Sequence, residues 1–238
     1  MQQETAPSAA PAASAKIDES IAENFLRLIA DSQSNGVPEM HFRLWNRCSD
    51  EVRRKYIDSY RKDPEKREWV AEGYLAGDPD FDELIKLPDD TLGHLYAKHI
   101  IDNNLNRKIA SMYKAAHDGL DQEGKLHGMP EEAKYAVVRG FQLHDVLHII
   151  TGYLTTGYGE MALQAFTLAQ STLPYSAIWM ATLTAQMTFV NPDMTVPVMD
   201  ALSEGWRLGR RAKNLNYTKW EERFDEPVAR LREEYELN

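Results

Sequence analysis

An all-α fold, a single-domain multi-helix bundle behind a flexible N-terminal tail, is what this sequence predicts. Three observations carry the prediction. Apolar residues recur at three- and four-residue spacing through most of the 238 residues. Alternating runs of Val, Ile and Tyr, the mark of a half-buried strand, are scarce. Stop signals such as Asn35-Gly36-Val37-Pro38 and Asp63-Pro64 divide the periodic segments.

The elements follow in order. Residues 1–16, "MQQETAPSAAPAASAK", are mostly Ala, Pro and Ser and offer nothing to bury, so they read as a disordered tail before a helical domain over 17–238. From Ile17, Ile21, Phe25, Leu28 and Ile29 share one helical face. Asp50 to Arg61 is a charged surface helix, and Gly73 to Pro88 is rich in loop residues. A helix starting near Thr91 turns Leu92, Leu95, Tyr96, His99 and Ile100 inward. Another spans roughly Glu131 to Leu154, opened by Pro130 and the acidic pair Glu131-Glu132, which suit a helix N-terminus. No internal repeat is present.

Bulk properties narrow the function. The length suits one domain with a real core. The single cysteine, Cys48, excludes an internal disulfide and a cysteine-rich zinc site. A net charge of −10 without a basic face argues against nucleic acid, and the runs Arg53-Arg54-Lys55 and Arg207 to Lys213 read as solvated helix surface. The start has no basic-then-apolar signal and no arginine, so a bacterial cytoplasmic protein is the simplest expectation.

From Met161 through Pro192 there is no charged residue. Pro174 and Pro192 bound a segment too short, and too often interrupted by Thr182, Thr184, Gln186 and Thr188, for a membrane span. Two buried helices are expected there, either as plain core or as the wall of a site for a long apolar ligand. Trp179, Met180, Met187 and Phe189 are the lining candidates.

The stretch "HDVLH" carries the chemistry. His144 and His148 are four apart and project from one helical face, with Asp145 bordering it. Glu160 follows Gly152, Gly157 and Gly159, which allow the chain to end one helix and fold back. Two imidazoles and two carboxylates then converge, a set suited to zinc, iron, manganese or cobalt. The rival reading is satisfied core histidines. A second rival is an HD-type metal phosphohydrolase, whose further ligands would come from His117 or His127 upstream and Asp193 or Asp200 downstream. His94 and His99 read as helix-surface and core positions.

His-Asp-x-x-His, eleven residues and Glu resembles the signature of the COQ four family of ubiquinone (coenzyme Q) biosynthesis proteins. "LPDDTLGHLYAKHI" resembles that family's upstream segment, and "GWRLGRRAKNLNYTKWEERFDEPVARLREEYEL" its closing region, so the likeness runs from about Trp69 to Asn238. The resemblance implies an all-helical fold and a metal, usually zinc, at His144, Asp145, His148 and Glu160. It also implies a substrate with a polar aromatic head and a polyprenyl tail, and removal of the ring carboxylate coupled to oxidation at ring carbon 1. An older view of the family, a non-catalytic scaffold gathering other quinone-biosynthesis proteins at the membrane, stands as the alternative.

Within that frame Asp145 or Glu160 would move a proton. Arg139 would clamp a substrate carboxylate or, as periodicity suggests, form a structural ion pair on a neighbouring face. Tyr153, Tyr158 and Tyr175 are candidates to contact an aromatic ring. The sequence departs from the family at "RGFQLHD", where Phe141 and Gln142 replace the usual Arg-Glu, and at Asp90, which replaces a glycine. Gln142 is still expected to support the metal ligands by hydrogen bonding. A membrane-borne substrate implies peripheral contact with the inner membrane through an apolar patch near Pro174 to Pro197. Such a patch would also suit a homodimer. "VNPDMTVPVMD" is expected to be a loop at the site's mouth.

Overall fold

The computed structural model describes residues 19–30, 44–124, 126–171, 174–190 and 192–238. The expected tail and the stop signal at Asn35 to Pro38 lie outside them. Among the described residues every regular element is helical, and the sole β contact is an isolated bridge between Thr91 and Pro227. The all-α expectation holds.

The helices are α1 (Glu19–Ala30), α2 (Asp50–Arg61), α3 (Pro64–Glu72), α4 (Phe81–Leu84), α5 (Leu92–Asp102) and α6 (Ile109–Gln122). They continue as α7 (Glu131–Thr151), α8 (Gly157–Ser171), α9 (Pro174–Val190), α10 (Thr195–Arg211) and α11 (Val228–Glu234). Capping explains several boundaries. The Ser49 side chain accepts from Val52 N–H to start α2, and Asp63 accepts from Glu65 and Lys66 N–H to start α3 behind Pro64. Thr91 does the same for α5 through His94 N–H. Helices α3 and α6 were not expected. Segment 73–88 is loop apart from the single turn α4. The stretch "VNPDMTVPVMD" is not a loop: a 3₁₀ turn at Pro192–Met194 runs directly into α10.

Helix α7, about 32 Å long at 1.5 Å per residue, is the axis of the molecule. Leu143, Val146, Leu147 and Ile150 join Leu92, Tyr96 and Ile100 of α5, Leu163 and Phe166 of α8, and Trp220 and Leu231 of the C-terminal segment in the main core. That segment is tied across α5 by backbone: Leu92 N–H donates to Glu226 O, Gly93 N–H to Phe224 O and Val228 N–H to Asp90 O, at 2.7–2.9 Å. Helices α8 and α10 pack almost backbone to backbone. A Cβ on Gly205 would lie 1.9 Å from the Ala162 carbonyl oxygen, so only glycine permits this crossing. Helix α1 closes the far side of α9, with Leu28 buried against Ile178.

Candidate metal centre and cavity

Helix α7 ends where Gly152 takes the left-handed conformation (φ +78°) and its N–H returns to His148 O. Five residues later α8 begins and runs back antiparallel: His144 faces Glu160, and Gly140 and Phe141 lie opposite Gln164. This is the fold-back expected of the glycines.

It brings three groups together. Ligand atoms of His144, His148 and Glu160 all lie within 4.8 Å of one another. Glu160 Oε1 is 3.1 Å from His148 Nε2, and Oε2 is 3.4 Å from His144 Nε2. Two atoms bound to one tetrahedral ion at about 2.1 Å stand roughly 3.4 Å apart, so the spacing suits a single ion.

Proton placement tests that fit. His148 Nδ1 is 2.9 Å from the Tyr153 carbonyl, which can only accept, so Nδ1 carries the proton and Nε2 presents a lone pair. That lone pair faces a carboxylate oxygen, is buried and has no hydrogen-bond partner. Two electron-pair donors turned toward each other are what a bound cation would satisfy. Behind the other imidazole, His144 Nδ1 lies 3.2 Å from Asp145 Oδ1, the carboxylate–histidine pairing that orients a metal-binding ring.

The electrostatics follow. Burial opposes the charged form of His144, but the carboxylates of Asp145 and Glu160 outweigh it and raise the imidazole to about 9. Burial likewise pushes Glu160 up, but the neighbouring imidazoles of His144 and His148 prevail and bring its carboxyl to about 2. His99 is held below the ordinary imidazole value by burial, against the pull of Asp145.

The triad opens into a cavity of about 530 Å³ between α7 and α8, with α9 as its third wall. That volume suits a ligand of moderate size. Phe141, Leu147, Tyr175, Trp179, Leu183 and Met187 supply its apolar wall. His144 and Glu160 are the charge-bearing residues among the described lining.

Several expectations need correction. Asp145 stands outside the three-residue cluster, because its carboxylate turns back to His144 Nδ1 and toward His99. Arg139 is 3% exposed and does not reach the cavity. Its guanidinium pairs with Glu221 at 2.7 and 3.0 Å, donates to Thr218 O and lies over Trp69 and Tyr74. Gln142 brackets the backbone of Ala76 rather than a metal ligand. Met180 packs between α8 and α10, and Phe189 is 84% exposed; Trp179 and Met187 do line the cavity. Of the tyrosines, Tyr175 reaches it. His117 pairs with Asp118, and His127, Asp193 and Asp200 are exposed, so the phosphohydrolase reading lacks its further ligands.

Two contributors escaped sequence reasoning. Tyr113 of α6 stacks on Phe141 at 4.8 Å and lines the cavity, as does Gln164. Phe141 was within reach, since 141, 144 and 148 share one face of α7; Tyr113 had no signal without α6.

Comparisons with known proteins bear on the family and the fold. Residues 124–238 match the family model described as coenzyme Q (ubiquinone) biosynthesis protein Coq4. A relative from Nematostella vectensis, named ubiquinone biosynthesis protein COQ4 homolog, mitochondrial, is 26% identical over 211 residues, covering 86% of this chain and 88% of that protein. Proteins of the same name from Xenopus tropicalis (29%, 76% of this chain) and Mus musculus (25%, 74%) are aligned over only 60% and 62% of their own lengths. A crystal structure from Nostoc punctiforme, of a protein assigned provisionally to ubiquinone biosynthesis, superposes with a TM-score of 0.72. At 24% identity, and covering 92% of this chain and 98% of that one, it shows a shared fold. With His144, His148 and Glu160 inside the matched span, the family model and the relatives' names support the resemblance of this chain to the Coq4 family of coenzyme Q (ubiquinone) biosynthesis proteins.

Proposed function

We propose that this protein uses a divalent metal, most simply zinc, to remove the carboxylate from ring carbon 1 of a polyprenylated hydroxybenzoate-type precursor of ubiquinone. The observation that carries the reading is a two-imidazole, one-carboxylate triad of which His144 and Glu160 line a cavity whose other described lining residues carry no charge. A charged head group and an apolar tail need that polarity.

His144, His148 and Glu160 would hold the ion, a donor set matching catalytic zinc sites that keep a position open. When bound, the ion supplies a Lewis acid beside the ring carboxylate or phenolate. Glu160, ionised across the neutral range, is the carboxylate placed to relay the proton that replaces carbon dioxide on the ring. Asp145 does not line the cavity; it steadies His144 and touches no substrate. Trp179, Tyr175 and Phe141 exclude water from the head group, and Met187 and Leu183 take the start of the tail.

No helix among the described residues is long and apolar enough to cross a membrane. Phe189 and Val196, 84% and 68% exposed, support peripheral contact with the membrane that holds the substrate, in a bacterium the inner membrane. The same face would serve a homodimer or other quinone-biosynthesis proteins.

Metal analysis of the purified protein, with mass spectrometry of co-purified lipid, tests the reading. About one ion per chain and a prenylated aromatic are expected, with turnover abolished in His144→Ala and Glu160→Ala. If those variants still bind lipid and support quinone synthesis, the protein is a scaffold.

A further inference from the structure

Three glutamines of the described residues are buried: Gln142, Gln164 and Gln170. Two of them bracket backbone. Gln142 accepts from Ala76 N–H at 3.1 Å and donates to Ala76 O at 3.2 Å. Gln170 accepts from Leu215 N–H and donates to Lys213 O, both at 2.9 Å. Gln164 differs. It is 7% exposed and lines the cavity, and no described residue is hydrogen-bonded to its side-chain amide. It follows Glu160 by four residues on α8, so it shares that face about 6 Å further along the axis. Facing it on α7 are Phe141, whose ring stacks on Tyr113 at 4.8 Å, and Gly140, which has no side chain to fill the space. A buried amide without a partner in the protein is costly unless the occupant of the cavity bonds it.

We propose that Gln164 selects the substrate's ring, its amide hydrogen-bonding the hydroxyl para to the carboxylate that the triad faces. This rests on the substrate reading above. One turn of α8, about 6 Å, is close to the span of a benzene ring between para substituents, so a ring whose carboxylate meets the triad brings its far oxygen to Gln164. Phe141 and Tyr175, in edge contact at 5.2 Å, offer that ring aromatic surface in the same cavity. An amide both donates and accepts, so it serves a phenol or a phenolate. A site built to bond a hydroxyl rejects the analogue that lacks it, because the amide then stays buried and unpaired.

Calorimetric binding of two probes, 3-geranyl-4-hydroxybenzoate and 3-geranylbenzoate, to the zinc-supplemented full chain tests the idea. The wild type is expected to prefer the hydroxylated probe by about tenfold or more. Gln164→Leu, with Gln164→Met as a second variant, should erase that preference: the hydroxylated probe weakens by about tenfold and the other binds at least as well as before. Without ligand the variants should melt no lower than the wild type, since the amide has no bond within the protein to lose. If the wild type binds neither probe, the substrate reading fails and the inference with it. If it binds both equally, or the variants keep the preference, the inference alone is wrong. Variants that melt lower and lose both probes alike would show a packing role and overturn it too.

Discussion

Metal uptake by this site should depend on pH in a way that isolated histidines would not. His144 is the group to watch, raised to about 9 between Asp145 and Glu160. To ligate through Nε2 it must lose its proton. At pH 7 an imidazole of that acidity is neutral in about 1% of molecules, so proton competition lowers apparent affinity about a hundredfold. The sign is definite. The metal-free protein holds the proton more tightly than an ordinary imidazole, so binding strengthens as pH rises. The gain is roughly tenfold per unit up to about 9, whereas an imidazole at the ordinary value would level off above about pH 7. Zinc or cobalt titrations between about pH 6.5 and 8.5 measure the slope. Calorimetry in two buffers of different ionisation enthalpy counts the released proton, expected near one. Affinity flat above pH 7, with no proton released there, would refute the electrostatic account of the triad.

The remaining predictions concern what surrounds the site. Arg139→Met should leave the half-buried Glu221 without its cation, lowering stability by about 2 kcal/mol in denaturant melts, while metal bound per folded molecule stays unchanged. Gly205→Ala should drive a methyl into the Ala162 carbonyl and cost about 3 kcal/mol or prevent folding; a near-neutral result would show that α8 and α10 are farther apart than described. Phe189→Ser should shift stability by less than about 0.5 kcal/mol and leave ligand capacity intact. Trp179→Ala should instead enlarge the cavity and weaken retention of a prenylated ligand, measured by lipid co-purification.

Much of the site could be read from residue spacing because it is local. His144 and His148 share a face by helical period, and the glycines between them and Glu160 announce a reversal of direction. What spacing could not show was which way a short side chain turns. Asp145 borders the ligand face, yet its carboxylate lies against His144 Nδ1. Arg139 is five residues before His144 and falls on the face that meets the C-terminal segment, where Glu221, distant in sequence, claims it. Helix α6 was missed because its buried positions are few, mainly Ile109 and Ala110, so its apolar stripe is weak. Phe189 belongs to an apolar stretch by composition, but α9 presents that end to solvent.

The hairpin between residues 144 and 160 also bears on how the molecule comes together. Because all three ligands arise within one reversal of the chain, closing it sacrifices little loop entropy and involves contacts of short sequence separation. An ion caught there would staple two helices before the distant C-terminal segment arrives, with Arg232 donating to the Thr151 carbonyl, to lock the bend. Folding rate, and not only final stability, should therefore respond to zinc.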